Sequence, residues 1–145
     1  MEKTQVFISY KYHGKNGEVL PDYRMAKEVY GKLRSYGINV FFSDQSLIKV
    51  GQADYKHLID SYLDDAKLLI VVSTSADNCN SNWVRYEWDS FYNDILSERK
   101  DGALISYLDT DDIGQFPRTI RTLQVFNKKE NEIDALVDFV KSYLA

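Results

Sequence analysis

Apolar residues along this 145-residue chain fall into two rhythms that alternate from end to end. One is the short, nearly unbroken apolar run: Gln5–Tyr10, Ile38–Phe42, Leu68–Val72, Ala103–Leu108 and Leu123–Phe126. Runs of this length, bounded by polar turns, read as strands covered on both faces. The other rhythm repeats every three or four residues, the spacing of a helix with one buried face. Ala26, Val29, Tyr30 and Leu33 make one such stripe, and Tyr55, Leu58, Ile59 and Tyr62 a second. Val84, Trp88, Phe91 and Ile95 make the third, and Ile133, Leu136, Val137, Val140 and Leu144 the last. Strand and helix succeed each other at roughly 30 residues per repeat, as in βαβ units. The predicted fold class is therefore α/β: a flavodoxin-like, five-stranded, mainly parallel sheet with helices on both faces. By analogy with that fold the strand order is 2-1-3-4-5, which puts a ligand crevice at the carboxyl ends of strands 1 and 3.

Breakers and caps set the expected boundaries. Pro21-Asp22 opens the first helix with Asp22 as its N-cap, and Gly37 follows its last turn. Asp54 is the expected cap of the second helix and Asn131 of the last. Ser73 to Ser81 reads as a loop. The third helix is expected to stop at Arg99-Lys100-Asp101-Gly102, with cations in its last turn and Gly beyond it. Asp109 to Arg121 reads as irregular with one short helix, because Pro117 opposes a long one.

The third helix carries the chemistry. Trp83 and Glu87 are four residues apart and stack one above the other beside the apolar stripe. A carboxylate thus sits next to an indole at the edge of a buried face, on a helix fed by the loop after strand 3. Three segments converge on the crevice: the loop after Tyr10, the loop after Asp44, and the loop leading to Trp83 and Glu87.

Composition narrows the choices. A net charge of −4 and a pI near 5.2 lack the electrostatic footprint of a nucleic-acid binder. One cysteine, Cys79, excludes an internal disulfide and fits a reducing, cytoplasmic setting. The longest apolar run, Leu68 to Val72, is far too short to cross a membrane. His13 and His57 are the only histidines and neither has a second ligand at metal spacing, so no metal site is expected. Asp109, Asp111, Asp112 and Gly114 begin like a calcium loop, but Ile120 stands where its last carboxylate belongs. Gly14 and Gly17 match no phosphate-binding fingerprint, and Ser73 and Ser75 lack a nucleophile elbow. The acidic pocket of a receiver domain is missing too, since strand 1 ends in Ser9-Tyr10 and strand 3 in Val72-Ser73.

Five pieces in order then carry a resemblance: Val6-Phe-Ile-Ser-Tyr10; Ile38-Asn-Val-Phe-Phe-Ser-Asp44; Gly51; Leu69-Ile-Val-Val-Ser73; and Trp83-Val-Arg-Tyr-Glu87. Together they resemble a Toll/interleukin-1 receptor (TIR) domain over nearly the whole chain, residues 1–145 forming one such domain, alone or as a module of a longer protein. The retained Trp-x-x-x-Glu makes it look most like the bacterial-type, NAD-cleaving members, which act in immune (anti-phage) signalling. The resemblance implies cleavage of the nicotinamide–ribose bond of NAD⁺ to give ADP-ribose or a cyclic isomer. It puts the family's catalytic glutamate on Glu87 and its substrate-binding positions on Tyr10, Lys11, Asp44 and Trp83. It implies an assembly loop containing Leu47 and Gly51, self-association with other TIR domains, and no cofactor beyond NAD⁺ as substrate. The loop from Lys11 to Pro21 is longer than in many relatives, so either Lys11 or Lys15 faces the diphosphate. Other members of the family are non-catalytic adaptors, the alternative function for this chain.

Overall fold

The computed structural model describes residues 3–42 and 52–145. Its sheet is built from β1 (Val6–Ser9), β2 (Val40–Phe42), β3 (Leu68–Ser73), β4 (Ala103–Leu108) and β5 (Gln124–Asn127). All neighbours pair in parallel, in the order β2-β1-β3-β4-β5. The expected class and strand order are both found. After β1 the chain leaves for one edge and returns to β3 on β1's other side, so the crevice opens where β1 and β3 end.

Alternation of side chains across the sheet divides the core in two. Val6, Ile8, Ile70, Val72, Ile105 and Tyr107 face one way. They pack under α1 (Pro21–Ser35) and α6 (Ile133–Leu144) through Met25, Val29, Leu33, Leu136 and Val140. Phe7, Leu69, Val71, Leu104 and Leu108 face the other way. They lie beneath α2 (Gln52–Asp65) and α4 (Asn82–Leu96) through Ile59, Leu63, Val84, Trp88 and Phe91. Every residue of β3 is buried, as a central parallel strand requires.

Several boundaries differ from the expected ones for physical reasons. Asp22 is not the N-cap of α1. Leu20 holds that position without a side-chain cap, and Pro21 opens the helix, where its missing N–H costs nothing. α2 begins at Gln52, which puts Asp54 inside its first turn. Within the expected loop after β3, Ser75 accepts a bond from the Asn78 N–H and caps a short helix, α3 (Ala76–Cys79). The irregular stretch after β4 contains a 3₁₀ turn at Ile113–Gln115 and then α5 (Arg118–Arg121), which starts directly after Pro117. Asn131 does not cap α6. It adopts a left-handed conformation at the end of a second 3₁₀ turn, and Glu132 precedes the helix.

The end of α4 is the clearest correction. The helix stops at Leu96, and Glu98, not Gly102, takes the left-handed backbone with φ 63°. Lys100 serves another helix: its Nζ donates to the Asp64 and Ala66 carbonyls at 2.8 and 2.7 Å, at the negative end of α2. Gly102 is required for a different reason, since a Cβ there would lie 2.7 Å from the Lys67 carbonyl oxygen. Gly102→Ala should push the start of β4 away from Lys67, the residue before β3, and cost about 1–3 kcal/mol of stability. Urea unfolding of the two proteins checks this, and an unchanged midpoint would contradict it.

Among the described residues no helix is long and apolar enough to cross a membrane.

Candidate active site

At the carboxyl end of β1 the backbone alternates Ser9 toward the α4 side and Tyr10 toward the α1 side. Ser9 is a hydroxyl set in a buried apolar strand, and it needs a partner. It finds one across 78 residues of sequence: its Oγ donates to Glu87 Oε1 at 2.7 Å. Glu87 is only 2% exposed, so it lies inside the core face, deeper than the half-buried edge position the sequence pattern assigned it. Its second oxygen, Oε2, is buried and has no hydrogen-bond partner among the described residues. No ion pair reaches it among the described residues either.

A carboxylate in such a place is poorly solvated. Burial pushes the Glu87 carboxyl up to about 8, and the Ser9 hydrogen bond offsets that only in part. At neutral pH the group is therefore mainly a neutral acid. It becomes a carboxylate readily only when a positive charge arrives beside it.

Three further ties fix α4, each to a different neighbour. The Trp88 indole N–H donates to the Cys79 carbonyl at 2.9 Å. Arg85 Nη1 donates to Asn80 Oδ1 at 3.2 Å, while its guanidinium covers the Trp88 ring. The Tyr86 hydroxyl donates to Asp60 Oδ1 on α2 at 2.6 Å. One turn before Glu87, Trp83 is half-buried and meets the Tyr86 ring edge to face at 5.9 Å.

Trp83 forms part of an open cleft of about 260 Å³ with Lys11, His13, Ser81, Asn82 and Val84. Lys11 and His13, from the loop after β1, thus face the first turn of α4. The Ser81 side chain does not cap that helix; its Oγ donates to the Asn78 carbonyl at 2.8 Å. The cleft lies at the carboxyl ends of the strands, where ligands of such sheets bind. A larger cleft of about 470 Å³, lined by Lys3, Thr4, Gln5, Gly37, Asp65 and Lys67, lies at the amino ends of the strands. It contains none of the candidate residues.

The structure brings Lys11 and Trp83 to one cleft and sets Glu87 one helical turn further in. It does not bring Tyr10 there. Tyr10 is buried on the opposite sheet face, stacked on Phe42 with ring centroids 5.0 Å apart. Lys15 is exposed and does not line the cleft. Asp44, Leu47 and Gly51 lie outside the described residues. Cys79 is buried and its thiol is pushed up to about 12 by burial, then by the nearby Asp22 charge, which removes it as a nucleophile at neutral pH. Sequence reasoning missed Ser9, His13 and Asn82. The hydroxyl in an apolar strand was the one available signal, and it pointed to Ser9.

Residues 6–138 match the sequence model of the TIR domain. The chain belongs to the TIR-domain family.

Two solved structures agree with this. The TIR domain is similar to a metazoan TIR-STING receptor from C. gigas, with a TM-score of 0.58 and 16% identity. That match covers 91% of this chain but 39% of the receptor, so the chain spans well under half of that protein's length. It is also similar to the TIR domain heterodimer of RPS4 and RRS1, with a TM-score of 0.57 and 17% identity over 97% of each chain. At these identities the likeness is one of fold. No curated protein matches this chain in sequence at a significant level.

Proposed function

We propose that this TIR domain cleaves the nicotinamide–ribose bond of NAD⁺. The observation that carries the proposal is Glu87: a buried carboxyl with no cation beside it among the described residues, one turn below an indole that lines the cleft. A structural glutamate in a core would be expected to have a counter-ion. This one has a single hydroxyl, which leaves one oxygen available for charge developing elsewhere.

In the reaction, the bond between the ribose C1′ and the pyridinium nitrogen breaks, and its electron pair leaves with neutral nicotinamide. No acid is needed to protonate the leaving group. Positive charge spreads over C1′ and the ring oxygen, as in glycoside cleavage. The Glu87 carboxylate faces that charge. Water then attacks C1′ and loses a proton, giving ADP-ribose; attack by a nucleophilic atom of the substrate's own adenosine half gives a cyclic isomer instead. Trp83 offers its face to the cationic nicotinamide ring, and Lys11 offers charge to the diphosphate.

Glu87 is 2% exposed, so the ribose reaches it only if α4 and the loop after β1 part. We assign that opening to assembly with further TIR domains, through the loop that contains Leu47 and Gly51. The RPS4–RRS1 heterodimer shows that domains of this fold do pair. Turnover per protomer should therefore rise with protein concentration. Nicotinamide release, followed by chromatography from dilute to concentrated protein with the products identified by mass spectrometry, tests both statements. A rate per protomer independent of concentration would remove the assembly step. The absence of release from assembled protein would leave the adaptor reading.

A further inference from the structure

The helix bearing Trp83 and Glu87 is tied to α2, which packs on the same face of the sheet, by a polar clasp. Tyr86 Oη donates to Asp60 Oδ1 at 2.6 Å, and Lys56 Nζ binds the other carboxylate oxygen, Oδ2, at 2.8 Å. The same ammonium lies over the Tyr86 ring, 5.2 Å from its centroid. The three side chains therefore close a ring of contacts: phenol to carboxylate, carboxylate to ammonium, ammonium to aromatic face. Burial alone would raise the Asp60 carboxyl, but its bonds from Lys56 and Tyr86 outweigh that and hold it below its ordinary value. Tyr86 is raised, by burial first and then by its bond to Asp60, so its hydroxyl keeps its proton and remains the donor.

The Lys56–Asp60 half of the clasp is too exposed to add much stability. The side chain of Lys56 is 53% exposed and that of Asp60 33%, and pairs of this kind add little to folding. The clasp instead fixes the place of one ring. Tyr86 is the residue against which Trp83 stands edge to face, and Trp83 forms the wall of the cleft opposite Lys11 and His13. The ring packs against the core beside Trp83, and its hydroxyl bond ties it to Asp60, on the helix that directly follows the segment containing Leu47 and Gly51.

We propose that Tyr86, held by Asp60 and Lys56, is a positioning residue for Trp83 that sets the nicotinamide wall of the cleft from the location of α2. This rests on the NAD⁺ reading for its substrate, but the placement of Trp83 is measurable without it. Glu87 is held separately, by Ser9, so the clasp governs binding of the aromatic base more than bond cleavage.

The test uses Tyr86→Phe, which keeps the ring and removes only the hydroxyl, and Asp60→Asn, in the full chain. Both should lower the urea midpoint modestly while leaving the protein folded. In NAD⁺ cleavage, KM should rise about tenfold, the worth of one misplaced aromatic contact, while kcat changes far less. Lys56→Gln should give a smaller rise in KM. The second readout needs no turnover. In ¹⁵N spectra the two indole N–H signals are separable, and Trp88, bonded to the Cys79 carbonyl, serves as an internal reference. The Trp83 signal, assigned with Trp83→Phe, should shift or broaden in Tyr86→Phe and Asp60→Asn, while the Trp88 signal stays. If Trp83 moves but the wild-type protein never cleaves NAD⁺, the clasp stands and the substrate falls. If cleavage is present and neither KM nor the Trp83 signal changes, the clasp proposal is overturned. A fall in kcat with KM unchanged would also overturn it, because the effect would then lie on Glu87.

Discussion

Glu87→Gln is expected to lower NAD⁺ cleavage by at least about a hundredfold and, at pH 8, to make the protein more stable than the parent. The two effects have one cause. Glutamine has the shape of the acid and still accepts the Ser9 hydrogen bond, but it never carries the charge that the ribose cation requires. The loss of turnover follows from that. The gain in stability follows from burial, because the parent protein must either ionise Glu87 in a nearly dry site or keep a proton that the unfolded chain has released.

The sign is fixed by the direction of the shift. In the unfolded chain Glu87 titrates near its ordinary value of 4.5; in the folded protein burial pushes it up to about 8. Between those values the folded state holds a proton that the unfolded state lacks, so stability falls as pH rises through this window. The loss levels off above pH 8 and amounts to several kcal/mol over the whole window. Asp22, also raised by burial, adds a loss of the same sign beginning just above its ordinary value. Glu87→Gln removes the first slope and leaves the second. Melting temperatures of the two proteins from pH 5 to pH 8 should therefore diverge, and parallel curves would show that Glu87 ionises normally and is not buried as described. Catalysis runs the opposite way. The free protein needs an ionised Glu87 to begin, so kcat/KM should climb with pH up to about 8, roughly tenfold per unit on its acid limb. The kcat profile should lie at lower pH, because the bound pyridinium favours the charged form. A kcat/KM profile that is flat from pH 6 to pH 8 would contradict this.

Much of this site was legible before any coordinates. The stripe of Val84, Trp88 and Phe91 placed α4 on the sheet, and the alternation of strands and helices placed its first turn at the crevice. Trp83 and Glu87 fall beside each other by helical geometry alone. The depth of Glu87 was not legible. On the helix it lies at the rim of the apolar stripe, and it is buried because β1 ends beneath it with Ser9 turned inward. A contact across 78 residues leaves no local pattern. The Tyr86–Asp60 clasp was hidden for the same reason, since it joins two half-buried side chains on different helices, 26 residues apart. Tyr10 shows what motif position leaves out: strand alternation sends consecutive side chains to opposite faces, so Tyr10 packs on the α1 side while Ser9 turns to Glu87. Lys100 read as a favourable charge for its own helix and instead caps α2, because a cation satisfies whichever carbonyls its long side chain reaches.

Asp22 is a buried acceptor and not a helix cap, and that place gives the second large effect: Asp22→Ala should destabilise the protein by about 1–3 kcal/mol. Proline belongs at the first helical position, so the residue before it is the cap and Asp22 falls one turn-step inside. From there its side chain points away from its own helix. It is 0% exposed and accepts bonds from the Thr74 hydroxyl at 2.5 Å, the Thr74 N–H at 3.3 Å, and the Asn78 amide at 3.3 and 3.4 Å. Burial raises its carboxyl, and these bonds offset part of that. The alanine variant leaves the Thr74 hydroxyl, its backbone N–H and the Asn78 amide without this acceptor. Those groups cost more unpaired than the carboxylate cost to bury. The loss would be a large share of the total stability of a domain this size, about 5–15 kcal/mol. The same bonds hold Thr74 and Asn78 at the start of the segment that delivers Ser81 to α4, so the first turn of α4 should loosen as well. Asp22→Asn separates the two effects. Its carbonyl oxygen still accepts from Thr74, while its amide meets the Asn78 amide donor to donor, so it should cost less than the alanine variant. Urea unfolding measured at pH 6 ranks the three proteins. Equal stability of all three would mean that the loop after β3 is held by packing alone.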